Sequence, residues 1–155
     1  KISNTYTNEK LNSISAIGHT VIAVGSQGVI IYSTNNGKKW EISDSKTKVN
    51  LNSIILVNEQ TGIAFGDSGY IFKTFDSGKS WSRIFSDIKS NIVSAFINES
   101  KTILIATDDG KIFRLMMKHN LCLHLWLICL CLIPTRQIIL RISILSGIKG
   151  LIRMN

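Results

Sequence analysis

An eight-residue motif occurs twice in the 155-residue chain, and its spacing restricts the fold more than any other feature. It reads Ser/Thr-x-Asp/Asn-x-Gly-x-x-Trp, at residues 33–40 and again at residues 74–81. Gly37 and Gly78, the glycines of the two copies, are 41 residues apart. A fixed period of this length is typical of repeat architectures, in which each repeat is one structural unit. The spacing therefore predicts a protein built from repeats of this length.

The repeat extends well beyond the motif. Residues 20–28 share five identities with residues 61–69, and Leu11-Asn-Ser-Ile returns forty residues later at Leu51. A third copy begins near Asn91 and stops matching soon after Gly110. These matches predict the end of a preceding repeat at residues 1–10, full repeats at 11–50 and 51–90, a partial repeat at 91–114 and a non-repeat segment at 115–155.

Each repeat carries four short apolar runs separated by turn residues. In the second repeat the runs are 53–58, 62–66, 70–75 and 81–85, and they are rich in residues that favour strands. Four hairpin-linked strands recurring at a fixed period indicate an all-β fold, a β-propeller fragment of about 2.5–3 four-stranded blades followed by an atypical hydrophobic tail. A β-sandwich is the alternative, which explains the strands but not the period.

The motif residues are expected to close a turn and to have no catalytic role. An Asp or Asn side chain in a turn accepts backbone N–H groups, glycine permits a left-handed conformation, and tryptophan can cover the hairpin. The residues with this predicted structural role are Ser33, Asn35, Gly37 and Trp40 in the first copy and Thr74, Asp76, Gly78 and Trp81 in the second.

The motif resembles the Asp-box, also called the bacterial neuraminidase repeat (BNR). This motif occurs in sialidases, in some glycoside hydrolases, in sortilin-type receptors and in propellers similar to photosystem II assembly factors. The run from Leu51 to Trp81 is most similar to the last group, and the resemblance covers roughly residues 1–114. It implies that the motif is structural and lies away from the ligand face. Export to the periplasm or the extracellular medium is favoured by the resemblance alone.

The chain is expected to be a fragment of a larger propeller. Residues 1–4 match residues 41–44, which places the first residue just after the motif of a missing repeat. Propellers typically close with four to eight blades, and an open stack would leave blade faces uncovered. Assembly from several copies of the chain is the alternative.

The composition changes sharply at Leu115. Residues 115–155 hold five of the 18 basic residues, none of the ten acidic residues and all three cysteines. One interpretation is out-of-frame translation, and a second is a genuine hydrophobic anchor, the one case in which we expect membrane association. A third is a metal site at Cys122, His124, Cys129 and Cys131, although this spacing lacks the separated pairs of a zinc site. We expect no metal and no cofactor.

The first functional hypothesis is a non-enzymatic binding or assembly module that presents inter-strand loops to a protein or glycan partner. Alternation of strand direction predicts that the turns at 25–28, 66–69 and 107–110 share one face with the inter-blade loops, opposite the motif turns. Candidate contact residues on this face are Gln27, Lys46, Lys48, Asp67, Asp108 and Asp109. For each residue singly, an ordinary solvated turn residue is the simpler interpretation.

The alternative is a fragment of an Asp-box glycoside hydrolase or sialidase whose catalytic residues lie in missing blades. Sialidase chemistry needs an arginine cluster and a tyrosine nucleophile. Residues 1–114 contain two arginines, Arg83 and Arg114, and Tyr6, Tyr32 and Tyr70 have no evident glutamate partner in the sequence. Nucleic-acid binding is not expected, because no basic stripe alternates with aromatic residues.

Overall fold

The computed structural model describes residues 7–116 and 124–126, and their secondary structure is almost entirely β. The prediction of an all-β fold is confirmed. The strands, in chain order, are β1 Leu11–Ile17, β2 Thr20–Gly25, β3 Ile30–Ser33, β4 Glu41–Ser43, β5 Leu51–Leu56, β6 Gly62–Gly66, β7 Ile71–Thr74, β8 Ser82–Ile84, β9 Ile92–Ile97, β10 Thr102–Thr107, β11 Ile112–Met116 and β12 His124–Trp126.

The strands form three antiparallel sheets of four, each built from consecutive strands. We call them blade 1 (β1–β4), blade 2 (β5–β8) and blade 3 (β9–β12). The last strand of blade 3 comes from the segment 115–155, which also contributes the end of β11. The rest of that segment, with its three cysteines, lies outside the described residues, as do residues 1–6. The predictions for the tail and the amino-terminal end therefore remain predictions.

The blades stack face against face, and two apolar cores fill the spaces between them. Between blades 1 and 2, Ile22 and Tyr32 of blade 1 pack with Ala64, Phe72 and Trp81 of blade 2. The second core repeats the arrangement between blades 2 and 3, and its members include Ile63, Phe65, Ile71, Ile92, Ile103, Ile105 and Phe113. We call the face that a blade presents to the next blade along the chain its forward face, and the opposite face its rear face.

The first strands of successive blades lie side by side and are joined by side chains. The Ser13 hydroxyl accepts the backbone N–H of Ile54 at 3.3 Å, and the Ser53 hydroxyl accepts that of Ala95 at 3.2 Å. Asn52, at a bulge in β5, donates its amide to the Ile92 carbonyl at 2.9 Å, as Asn12 does to Leu51 at 3.0 Å. These serines and asparagines recur with the repeat, so the same contacts fix both blade junctions.

Candidate functional site

Two sets of turns define the two faces of the blade stack. On one face, the backbone N–H of Asn36 donates to His19 O and that of Ser77 to Gln60 O, each at 3.0 Å. These bonds join each motif turn to the first hairpin turn of its own blade, and we call this side the motif face. The opposite side, which we call the loop face, carries the turns at 25–29, 66–70 and 107–111 and the loops at 44–50 and 85–91.

In the second copy of the motif, side chains and backbone form a closed network. The backbone N–H of Gly78 donates to Thr74 Oγ1 at 3.1 Å, and the Thr74 hydroxyl donates to Asp76 Oδ1 at 2.7 Å. Ser80 donates its N–H to Asp76 Oδ1 at 2.9 Å and its hydroxyl to Oδ2 at 2.6 Å. The Trp81 indole N–H donates to Gly78 O at 3.1 Å. The side chains of Thr74, Asp76, Ser80 and Trp81 are thus all bonded within the turn.

The first copy repeats the backbone part of this network. The N–H of Gly37 donates to Ser33 Oγ at 3.0 Å, and Asn35 Oδ1 accepts the N–H of Lys39 at 2.8 Å and the Ser33 hydroxyl at 2.9 Å. Trp40 is only partly buried, and its buried indole Nε1 has no hydrogen-bond partner among the described residues. The Asn35 amide oxygen therefore takes the place of the Asp76 carboxylate oxygen in the turn. The hydrogen bond from the tryptophan indole to the glycine carbonyl is present only in the second copy among the described residues.

The environment of Asp76 holds its carboxylate in the charged form. Partial burial raises the pKa of Asp76, but the hydrogen bonds from Ser80, Thr74 and the Lys79 N–H together outweigh burial and leave the pKa below its usual value of 3.8. These donors are the ones that close the turn. The charge of Asp76 is thus satisfied by the folded motif itself.

On the loop face, Asn50 and Asn91 join consecutive blades and engage the predicted contact residues. Asn50 Oδ1 accepts the N–H of Gln27 from blade 1 at 3.1 Å, and its amide donates to Asp67 Oδ2 at 3.0 Å. One repeat later, Asn91 Oδ1 accepts the N–H of Ser68 at 2.9 Å and its amide donates to Asp108 Oδ2 at 2.8 Å. The carboxylates of Asp67 and Asp108 are therefore both occupied within their own blades, each by the asparagine that also contacts the preceding blade.

Asp109 is held by a different set of donors. It accepts the Thr107 hydroxyl at 2.6 Å, the Ser90 hydroxyl at 2.7 Å and the Lys111 ammonium at 2.6 Å. Lys111, Thr107 and Ser90 together hold the pKa of Asp109 well below its usual value. Like Asp67 and Asp108, Asp109 has its oxygens directed at groups of the protein itself.

The lysines of the loop face differ from its carboxylates. Lys46, Lys48 and Lys89 are exposed, and their ammonium groups form no ion pair within the described part of the chain. Lys48 and Lys89 occupy equivalent positions, 41 residues apart, in successive inter-blade loops. A cavity of about 260 Å³ lies beside Lys89, lined also by Asp87, Ile88, Ser90, Lys111, Ile112 and Phe113. Lysines without an ion pair therefore recur along this face, beside the exposed carboxylates of Asp44 and Asp87.

Three features of the site were missed by sequence reasoning. Asn50 and Asn91 carry the inter-blade contact, and their spacing of 41 residues was the available signal. Phe85, which directly follows β8, is highly exposed, and the Arg83 guanidinium lies 5.0 Å from its ring and 3.7 Å from that of Tyr70. These rings add an aromatic and cationic group to the outer edge of blade 2.

The sequence-based statement that Tyr32 has no glutamate partner is wrong. The Tyr32 hydroxyl donates to Glu41 Oε2 at 2.8 Å, because β3 and β4 pair these residues across the sheet. The bond to Glu41, with burial and nearby negative charge, raises the pKa of Tyr32. The small cavity there, of about 30 Å³, is lined by Tyr32, Ser33, Thr34, Asn35, Lys39 and Glu41 and is too small for a sugar.

Residues 7–116 and 124–126 contain no candidate metal site and no candidate membrane-spanning helix. No group of three or more His, Cys, Asp or Glu side chains is placed to hold a metal ion. No helix in these residues has the length and apolar character needed to cross a membrane.

Several solved structures are similar to this chain, and two of them are YCF48 structures. The first, described as YCF48 bound to D1 peptide, matches 70% of the chain with a TM-score of 0.60 and 20% sequence identity. The second, YCF48 from Cyanidioschyzon merolae, matches 74% with a TM-score of 0.62 and 18% identity. The described residues form part of a β-propeller. The predicted resemblance to propellers of photosystem II assembly factors is thus confirmed at the level of the fold.

The match covers only part of the YCF48 structures. This chain spans 38% of the length of the first and 36% of the second. No protein-family model matches the chain, and no curated protein matches it either.

Proposed function

We propose that the chain is a non-enzymatic binding module whose loop face binds an extended, acidic segment of a partner protein. The observation that carries the proposal is the pair Lys48 and Lys89, which are exposed, equivalent in successive repeats and without an ion pair among the described residues. Lysines that recur from one inter-blade loop to the next suit a chain with carboxylates along its length. On the same face, Asp67, Asp108 and Asp109 are bound by Asn50, Asn91 and Lys111, whereas Asp44 and Asp87 are exposed.

The cavity beside Lys89 favours a peptide over a large ligand. Its volume of about 260 Å³ is below that of typical small-molecule sites, and Ile88, Ile112 and Phe113 give it an apolar wall. One side chain or the end of a peptide fits this volume. One of the similar propellers, YCF48, has been solved bound to a D1 peptide, which supports the same class of partner here.

The motif residues belong to this proposal as Asp-box-type structural elements. Their side-chain oxygens accept hydrogen bonds within their own turn, and they lie on the motif face, opposite the lysines. We assign them the role of holding the blade that presents the loop face.

A charge-matched pair of variants tests the proposal. The probe is a fluorescent ten-residue peptide of alternating Glu and Ala, and its anisotropy is measured with the full chain. We expect K48Q/K89Q to weaken binding about tenfold, equivalent to about 1.4 kcal/mol. The control K38Q/K79Q removes two exposed lysines that are also 41 residues apart but lie in the motif turns. We expect the control to leave binding within about twofold of wild type.

Three outcomes would contradict the proposal. The first is equal weakening by both lysine pairs, which would indicate attraction by net charge alone. The second is binding that persists unchanged when Gln replaces every Glu of the peptide. The third is the absence of any binding at low ionic strength, where attraction between exposed charges is strongest.

A further inference from the structure

The outer edge of blade 2 carries a cluster of two aromatic rings and one guanidinium group. The Cζ atom of Arg83 lies 3.7 Å from the centre of the Tyr70 ring and 5.0 Å from the centre of the Phe85 ring. We call these three residues the aromatic cluster. Phe85 is 83% exposed, and Arg83 is exposed and has no ion-pair partner among the described residues. The cluster thus leaves a ring and a positive charge open to solvent.

The sheet and the following loop hold the aromatic cluster in place. The register of β7 and β8 puts Tyr70 opposite Phe85, just beyond the last paired residues, and alternation puts Arg83 on the same side of β8 as Phe85. Tyr70 packs against the core between blades 1 and 2, so the cluster lies on the rear face of blade 2. The loop that starts at Phe85 is tied to the turn of Tyr70, because the Ser86 hydroxyl donates to Gly69 O at 2.9 Å. The cluster therefore has a fixed position at the loop-face end of this blade.

The aromatic cluster is not part of the repeat. At the equivalent positions, 41 residues earlier, blade 1 has Val29, Ile42 and Asp44. Blade 1 nevertheless pairs its two outer strands in the same register as blade 2 does. A ring as exposed as that of Phe85 buries little apolar area and contributes little to stability. The blade therefore does not need the cluster to fold, which makes a binding role the better explanation.

The exposure of the cluster does not come from a missing neighbouring blade. Blade 2 packs against blade 1 on its rear face and against blade 3 on its forward face. The aromatic cluster remains open to solvent with both neighbours present. It is thus a surface feature of a blade that is covered on both sides.

The chemistry of the aromatic cluster fits two adjoining groups of a ligand. The exposed ring of Phe85 can pair with a second ring, offset-stacked or edge to face. The Arg83 guanidinium lies against Tyr70 on one side and carries N–H groups around its edge, which suit a carboxylate. An aromatic residue next to an acidic residue in a peptide supplies both groups.

We propose that the aromatic cluster binds an aromatic side chain that directly adjoins an acidic residue in the partner's segment. The inference rests on the proposed function, because the loop that begins at Phe85 also contains Lys89, so that one acidic segment can reach both. Charge alone attracts any acidic chain, whereas a ring that pairs with Phe85 distinguishes one acidic sequence from another. The cluster therefore adds sequence selectivity to the loop face.

Two peptides that differ in one residue test the inference. One is the ten-residue peptide of alternating Glu and Ala described above, and in the other a central Ala, with Glu on both sides, is replaced by Phe. Fluorescence anisotropy with the full chain measures both affinities. We expect the Phe peptide to bind about fivefold more tightly, because it adds an aromatic pair. In the Phe85→Ala variant we expect the two peptides to bind equally.

Phe75→Ala is the matched control for Phe85→Ala. Phe75 is 64% exposed and also has a cation beside it, since the Lys73 ammonium lies 4.3 Å from the centre of its ring. It belongs to the same blade but lies in the motif turn. We expect this variant to keep the fivefold preference for the Phe peptide. Circular dichroism should show the same strand content in both variants.

A third peptide tests whether aromatic character is recognised. It carries cyclohexylalanine in place of Phe, which keeps the apolar bulk and removes the π-system. We expect it to bind like the Glu–Ala peptide, to within about twofold. Binding as tight as that of the Phe peptide would overturn selection of an aromatic ring.

The outcomes separate this inference from the proposed function. Equal affinity of the wild-type chain for the Phe and the Glu–Ala peptides would overturn the inference and leave the proposed function standing. A preference for the Phe peptide that survives Phe85→Ala, or that Phe75→Ala abolishes, would also overturn it. Equal weakening by the two lysine pairs, with the Phe preference intact, would contradict the proposed function alone. Absence of binding by all the peptides would overturn both.

Discussion

The two copies of the motif have nearly the same backbone hydrogen bonds but different surroundings. Gly78 and Trp81 of the second copy are buried against Ile22 and Tyr32 of blade 1, whereas the first copy has no blade beside it among the described residues. The turn network is therefore a local property of the sequence. Burial of the tryptophan and the strict need for glycine come from the neighbouring blade.

The largest difference in stability between the two motif copies should appear when each tryptophan is replaced by alanine. Trp81→Ala removes a buried side chain from the core between blades 1 and 2, and we expect a loss of about 3–5 kcal/mol in the free energy of unfolding. Trp40→Ala removes a partly buried side chain, and we expect about 1–2 kcal/mol. Urea unfolding of both variants measures the difference, and equal losses would contradict the role given to the adjoining blade.

Replacing the motif glycines by alanine should give the next largest difference in stability between the two copies. Both have positive φ, 74° for Gly37 and 93° for Gly78, where any Cβ is strained. A Cβ at Gly78 would also lie 2.9 Å from Ile22 Cδ1, whereas the nearest atom to one at Gly37 is 3.5 Å away, in Trp40. We expect Gly78→Ala to cost about 2–4 kcal/mol and Gly37→Ala about 1–2 kcal/mol. Thermal unfolding checks the order, and a larger loss for Gly37→Ala would reverse the comparison.

The smallest difference in stability should appear at acidic pH. The second copy has a titratable residue, Asp76, at the position where the first copy has Asn35. The pKa of Asp76 is lowered in the folded protein, so its stabilisation is complete above the unfolded value near 3.8 and is lost as the pH falls through the folded value. We expect Asp76→Asn to lower Tm at about pH 7 and to converge on wild type near about pH 3. Asp87→Asn, an exposed carboxylate in an inter-blade loop, serves as the control. A Tm difference for Asp76→Asn that stays constant with pH would contradict this account.

The period of the sequence predicted the strands well but not their ends. The first strand of blade 2 was expected at residues 53–58 and lies at Leu51–Leu56. It starts earlier because Leu51 pairs with Gly66 beyond a bulge, and it ends earlier because Asn58 accepts the N–H groups of Gln60 and Thr61 to form a turn. Bulges and side-chain turns act over two or three residues, which a hydrophobic pattern does not resolve.

The loop face was predicted by topology, but the bonding of its residues was not. Asp67 and Asp108 were chosen as exposed turn acids, and their carboxylates accept amides of Asn50 and Asn91. Those bonds join residues 17 apart that pairing of the first two strands of a blade brings together, and the composition of a single turn does not contain that information. The spacing of the two asparagines did contain it, since Asn50 and Asn91 are one repeat apart.

The serine contacts between first strands have a consequence for amide hydrogen exchange. The N–H groups of Ile54, Leu56 and Ala95 donate to hydroxyls of the preceding blade, Ser15 being the acceptor for Leu56, and not to a strand of their own sheet. Their protection from solvent deuterium therefore depends on contact between blades, while amides inside a hairpin are protected by the blade itself. These three amides are built-in reporters of blade separation, distinct from unfolding of a blade.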